Sequence, residues 1–203
     1  NPKGTAEGEL TCAYCDCDYC GVSGKEKLSS STRVLTRLTE SIPESSGEVG
    51  DNISIDAILA AAKVLKAHIQ ANNALPDYVI VNDEQYTLSQ FLYLMSKAIG
   101  NINDGNLGNI TVVGASSPGT PNGDKISTNI NKTEYLDVAS RVSQYIISNG
   151  QAPNYASSSA GKISYADLLD AFSRILAYYA DNSKTLPNFV LINNTGGSGA
   201  SAL

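Results

Sequence analysis

Tryptophan is absent from this 203-residue chain, methionine and histidine occur once each, and cysteine is confined to positions 12 to 20. A single histidine, His68, leaves little room for catalysis by an activated nucleophile. Such a thiol or hydroxyl needs an imidazole within hydrogen-bond reach, oriented in turn by a third group. His68 instead sits in an amphipathic stretch far from every cysteine in sequence, and its simplest reading is a partly exposed helix residue. Phosphate-cradling P-loops and H-E-x-x-H zinc motifs are also missing. Charged residues make up only 17% of the chain and sum to −6, so there is no basic stripe to displace counterions from a nucleic acid. No run approaches the roughly 18–20 consecutive apolar residues that span a bilayer. No charged-then-apolar secretion signal stands at the start, and an opening Asn1 in place of Met fits a precursor already trimmed of one.

What is present is Ser, Thr, Asn, Gly and Tyr, a balance that suits an exposed extracellular protein of one ordinary domain or two small ones. The four cysteines, Cys12, Cys15, Cys17 and Cys20, form C-x2-C-x-C-x2-C. Paired C-x2-C units are a structural zinc element, but they usually stand about a dozen or more residues apart. Here one residue separates them. Disulfides are therefore the favoured reading in an oxidising compartment, with zinc or another soft metal as the alternative cofactor. Asp16 and Asp18 would add oxygen ligands to such a metal. The run Asn101 to Asn106 lacks the spacing and closing Glu of a calcium loop.

Three regions follow. Residues 1–50 form a cysteine-containing arm with one strand-like alternation, Arg33 to Leu38; 51–192 carry helical periodicity; and 193–203 are a Gly/Ser-rich tail. In the central region Ile55, Ile58, Leu59, Ala62, Leu65 and Ile69 share one helix face behind a Ser54 cap, with a stop at Asn72-Asn73 and Pro76. Thr87 and Gln90 form a capping box for a second helix, with Leu88, Phe91, Leu92, Met95 and Ile99 on its apolar face and Gly100 or Gly105 as its end. A third helix is signalled by Tyr135, Val138, Ala139, Val142 and Ile146, ending at Asn149-Gly150. A fourth begins at Ser164 with Asp167 and buries Leu168, Leu169, Phe172, Ile175, Leu176 and Tyr179.

The turns repeat. Leu75-Pro76-Asp77-Tyr78-Val79 recurs as Ala152-Pro153-Asn154-Tyr155-Ala156 and as Leu186-Pro187-Asn188-Phe189-Val190. Pro153 and Pro187 are 34 residues apart and Pro76 and Pro153 are 77 apart. The longer gap reads as two units plus an insertion at 114–129, with the missing turn degenerated to Gly108-Asn109-Ile110-Thr111. Such a period predicts stacked supersecondary units. The expected fold is mainly α: tandem helical repeats, each a helix and a Pro turn with a short extended segment, an extended N-terminal arm, and room for short β-strands.

At these residues the chain resembles the pseudomurein-binding repeat, found in tandem on cell-surface proteins and wall-lytic enzymes of methanogenic archaea. The resemblance rests on Ala61 to Val64, Ile69, Asn72, Leu75-Pro76 and Tyr78-Val79, then Thr87 to Leu94 and Ala98-Ile99, and more loosely on Ala139 to Val190. It covers roughly residues 53–192. It implies affinity for pseudomurein, an archaeal glycan crosslinked by short peptides, and an outer-surface location. Wall-lytic relatives add a peptidase domain with Cys, His and Asp, for which no residues remain here.

Tyr78, Tyr155 and Phe189 occupy one repeat position, where a ring can stack on a sugar or pin the turn onto the next helix; pinning is the favoured role. Asp77, Asn154 and Asn188 beside them brace the turn. All six are the candidate ligand-binding residues. N-x-[ST] sequons at Asn52, Asn109, Asn131 and Asn193 are glycosylation candidates, though about three are expected by chance from this composition. The expectation is a non-catalytic archaeal surface protein that binds pseudomurein, with no nucleic-acid partner and no membrane span. The alternative is a self-assembling subunit of an extracellular filament or adhesive fimbria, a homopolymer linked through arm and tail.

Overall fold

A computed structural model describes residues 47–193; the four cysteines, the Arg33–Leu38 alternation and the tail beyond Asn193 lie outside them. Helix boundaries follow from their caps. Ser54 opens α1 (Ile55–Asn72) by accepting from the Ala57 N–H through its hydroxyl, and Asn73 closes it in the left-handed region, donating to the Ile69 carbonyl. α2 (Leu88–Asn103) starts on the expected capping box, with the Gln90 N–H on Thr87 Oγ1 and the Thr87 N–H on Gln90 Oε1. Gly105, at φ 72°, ends it, while Gly100 lies inside the helix. Asn131 caps α3 (Lys132–Asn149), and Gly150 closes it at φ 61°. Ser164 caps α4 (Tyr165–Asp181), its hydroxyl held by the Asp167 carboxylate at 2.6 Å.

Between the helices the expectation of a mainly α fold needs correction: the architecture is mixed α/β, with four helices and eight short strands among the described residues. These are β1 (Asn52–Ile53), β2 (Tyr78–Val81), β3 (Glu84–Thr87), β4 (Ile110–Thr111), β5 (Ser127–Asn131), β6 (Tyr155–Ser158), β7 (Gly161–Ser164) and β8 (Phe189–Asn193). They pair two by two, all antiparallel: β1 with β4, β2 with β3, β5 with β8 and β6 with β7. The short extended run after Pro76 is thus half of a hairpin. Asn82 and Asp83 both take positive φ, which is the two-residue turn whose twist matches the flanking strands.

The same order, strand–helix–hairpin–helix–strand, occurs twice, from β1 to β4 and from β5 to β8. Ser54 and Asn131, Tyr78 and Tyr155, and Thr87 and Ser164 are all 77 residues apart, so 77 is the length of this double unit. The segment 114–129 is correspondingly more than an insertion. Its end belongs to β5, and its start is a strap laced to the second hairpin. The Ser116 N–H donates to the Gly150 carbonyl and the Ala152 N–H to the Ser116 carbonyl, both at 2.9 Å, the Thr120 N–H donates to Asn154 Oδ1, and the Asp124 N–H donates to the Lys162 carbonyl. Gly47 makes the equivalent bond in the first half, to the Gln85 carbonyl.

Packing is set by which helices are apolar all round. α2 buries eleven of its sixteen residues and α4 ten of seventeen, whereas α1 and α3 bury six of eighteen each. Accordingly α2 and α4 pack together at the centre, α1 lies on α4, and α3 lies on α2. Each half therefore places its first helix on the second helix of the other. Ser89 and Tyr165 meet across the centre, hydroxyl to hydroxyl at 3.1 Å, and Lys63 reaches Asp181 at 2.7 Å between α1 and α4.

Candidate functional site

Each Pro turn swings the chain back beside the helix it has just left, and the following strand forms a wall opposite that helix. Two grooves result. One, of about 450 Å³, is lined by Arg141, Val142 and Tyr145 of α3 and by Pro153 to Ser157. The other, of about 490 Å³, is lined by Val64, Leu65 and His68 of α1 and by Leu75 to Ile80. Shifting either set of numbers by 77 gives the other almost residue for residue, so these are two copies of one surface.

Their chemistry differs. In the second-half groove Arg141 is held in place: its Nε donates to Asp137 one turn back, and its Nη2 donates to the Ser157 carbonyl at 2.8 Å. The guanidinium thereby caps the outer edge of β6. Lys162 stands over the Tyr155 ring, 4.6 Å from its centroid. Arg174 repeats the device in the fourth segment, bound to Asp170 and to the Leu191 carbonyl of β8. In the first-half groove Val64 occupies the arginine position, and Ala60 the aspartate position, so among the described residues no guanidinium caps the Ile80 carbonyl. Val64 is 68% exposed and Tyr78 and Ile80 are 41% and 45% exposed, giving an apolar patch around His68.

The six candidate ligand residues fall at these turns. Phe189 is 61% exposed, Tyr78 is exposed and Tyr155 half-buried, so their rings contribute to the surface. The residue that pins a turn is Tyr135, fully buried on α3, whose hydroxyl donates to the Pro187 carbonyl at 2.7 Å. Asn154 holds the strap, accepting from the Thr120 N–H through its side chain and from the Asn122 N–H through its carbonyl. The Asn188 carbonyl receives the Lys132 N–H, and Asp77 lines the first groove. In the second segment Ile110 pairs with Ile53 as Val190 pairs with Ile130, which puts Asn109 where the other segments carry an aromatic. Arg141, Tyr145, Val64 and His68 are among the lining residues that the turn motif did not announce.

All four sequon asparagines lie on or beside the ribbons β1–β4 and β5–β8 and are exposed. Asn52 Oδ1 accepts from the Thr111 hydroxyl, and Asn131 Oδ1 from the Glu134 N–H. Groups with displaced titration do not line the grooves. Burial pushes the Tyr165 phenol up to about 12, and raises Tyr135 and Tyr86 as well; Asp167 is raised by burial despite its bond to Ser164. Among the described residues no three His, Cys, Asp or Glu side chains converge as a metal site. Nor is any described helix long and apolar enough to cross a membrane. The grooves offer rings, an amide, a guanidinium and backbone edges, which is equipment for holding a ligand.

Comparison with known families now bears on this surface. Residues 126–158 match the pseudomurein-binding repeat, a stretch running from the strand residues before α3 through β6. It overlaps the looser part of the resemblance, Ala139 to Val190, and begins before it. No curated protein matches the chain.

Proposed function

We propose that this is a non-catalytic archaeal surface protein that holds to a pseudomurein wall through the groove between α3 and β6. One observation carries the reading: the matched stretch 126–158 contains all eight lining residues of the Arg141–Tyr155 groove. A glycan crosslinked by short peptides offers hydroxyls, amides and flat sugar faces. An open groove with Tyr145 and Tyr155 as platforms, and Arg141 and Asn154 as polar handles, is suited to such a polymer. A non-catalytic role fits the single His68, which lies in the other groove with no serine, threonine or cysteine among its lining neighbours.

Co-sedimentation with purified pseudomurein sacculi, beside a wall-free control, tests the proposal. The full chain is expected in the pellet only when walls are present, and Tyr155→Ala is expected to return most of it to the supernatant. Pelleting without walls would replace the proposal with the filament reading. Remaining in solution in both tubes would overturn it.

A further inference from the structure

We infer that the groove at Tyr78 is a second, independent wall-binding site, built for an amine-bearing stretch of the same polymer. The inference rests on the proposed wall binding and extends it to a part of the chain outside the matched residues 126–158. Three observations support it. The groove is the 77-residue counterpart of the one at Tyr155, and both keep the proline and the tyrosine, at Pro76 with Tyr78 and Pro153 with Tyr155. Its volume is no smaller, about 490 against about 450 Å³. Its substitutions also change its character together rather than at random.

Where the second-half groove presents Arg141, Asn154 and Ser157, the first presents Val64, Asp77 and Ile80. Lys162, which covers the Tyr155 ring, is replaced by Gln85, opposite Ile80 in the hairpin. The guanidinium and the ammonium are thus gone, the imidazole of His68 stands in place of Tyr145, a carboxylate has replaced an amide, and the apolar floor has widened at Val64 and Ile80. A groove of this kind disfavours a carboxylate and receives an ammonium group on an apolar stem, with Asp77 as its counter-charge and Tyr78 as an aromatic face for the cation. The copy at Arg141 has the opposite bias. Two sites of opposite preference on one rigid body would grip neighbouring stretches of a repeating polymer at once, and the second contact is then made at high effective concentration.

The test is calorimetric titration of the full chain with soluble pseudomurein fragments, native or with their amines acetylated. Tyr78→Ala is expected to lower the number of fragments bound per chain by one, and so is Tyr155→Ala. The site that survives in Tyr155→Ala is expected to lose at least tenfold in affinity for acetylated fragments, while the one left in Tyr78→Ala does not. An unchanged number bound in Tyr78→Ala would overturn the second site, and indifference of the Tyr155→Ala protein to acetylation would overturn its preference for amines. Failure of the unmutated chain to bind any fragment or sacculus is a different result, and it would remove the wall-binding reading itself.

Discussion

The first half (47–112) and the second (114–193) have the same element order, yet they guard their surfaces differently. In the second, arginines from α3 and α4 cap strand carbonyls at Ser157 and Leu191, and the strap from Ser116 to Asp124 is laced along the hairpin. In the first, Val64 and Ile80 are exposed at the outer edge of β2, and no arginine among the described residues caps it. Unpaired strand edges are adhesive, and proteins commonly blunt them with charge. One fold thus carries the same groove with and without an arginine clamp from its helix, because the core is set by α2 and α4 and not by the groove walls.

The largest effect should come from that shared centre. Phe91→Ala on α2 and Phe172→Ala on α4, both fully buried, should each cost about 3–5 kcal/mol. Denaturant unfolding should remain a single transition in both variants. Two separated transitions would mean that the halves fold independently and that the interleaved packing contributes little.

Gly123→Ala should come next. A Cβ there would stand 2.8 Å from the Ser164 amide nitrogen and 3.0 Å from the Lys162 carbonyl, so the strap must lift off the hairpin. A loss of about 1–3 kcal/mol is expected from overpacking, together with faster hydrogen exchange at the Asp124 amide. Unchanged exchange would show the strap to be an accessory.

The two arginines should then separate. Arg174→Ala removes a side chain that is only 23% exposed and should cost about 1–2 kcal/mol. Arg141→Ala, at 45% exposure with a more open partner, should cost no more than about 1 kcal/mol. Thermal melts that rank them in the opposite order would contradict the edge-capping account. Smallest of all, the paired graft Ala60→Asp with Val64→Arg should transplant the clamp into the first half and add only a few tenths of a kcal/mol. Its value lies in solubility: less self-association at high concentration would tie the apolar edge to adhesion.

Much of this was legible in the chain. Capping is local chemistry, so Ser54, Thr87 with Gln90, and Ser164 with Asp167 mark helix starts within their own few residues. The hairpins were harder, because strands of four residues such as Ile80-Val81 on one side and Gln85-Tyr86 on the other show too few alternations to stand out. The Asn82-Asp83 turn between them was the available sign. The pairs β1–β4 and β5–β8 join residues some sixty apart, which no local pattern encodes, and this is why 77 read as two units with an insertion. Of the site, the turn aromatics were visible through repetition. Their helix partners Arg141, Tyr145, Val64 and His68 come from the preceding helix, and only the fold brings them alongside.

The closing ribbons have a mechanical consequence. In each half the first strand lies antiparallel to the last, so Ser127 at the start of β5 faces Asn193 at the end of β8, and Asn52 faces Thr111. Tension applied across either half pulls such a ribbon apart like a zipper, loading one rung at a time rather than all together. The opening force is then set by single rungs and not by their number, so the five rungs of one ribbon and the two of the other differ in the length of chain released before each ribbon is undone.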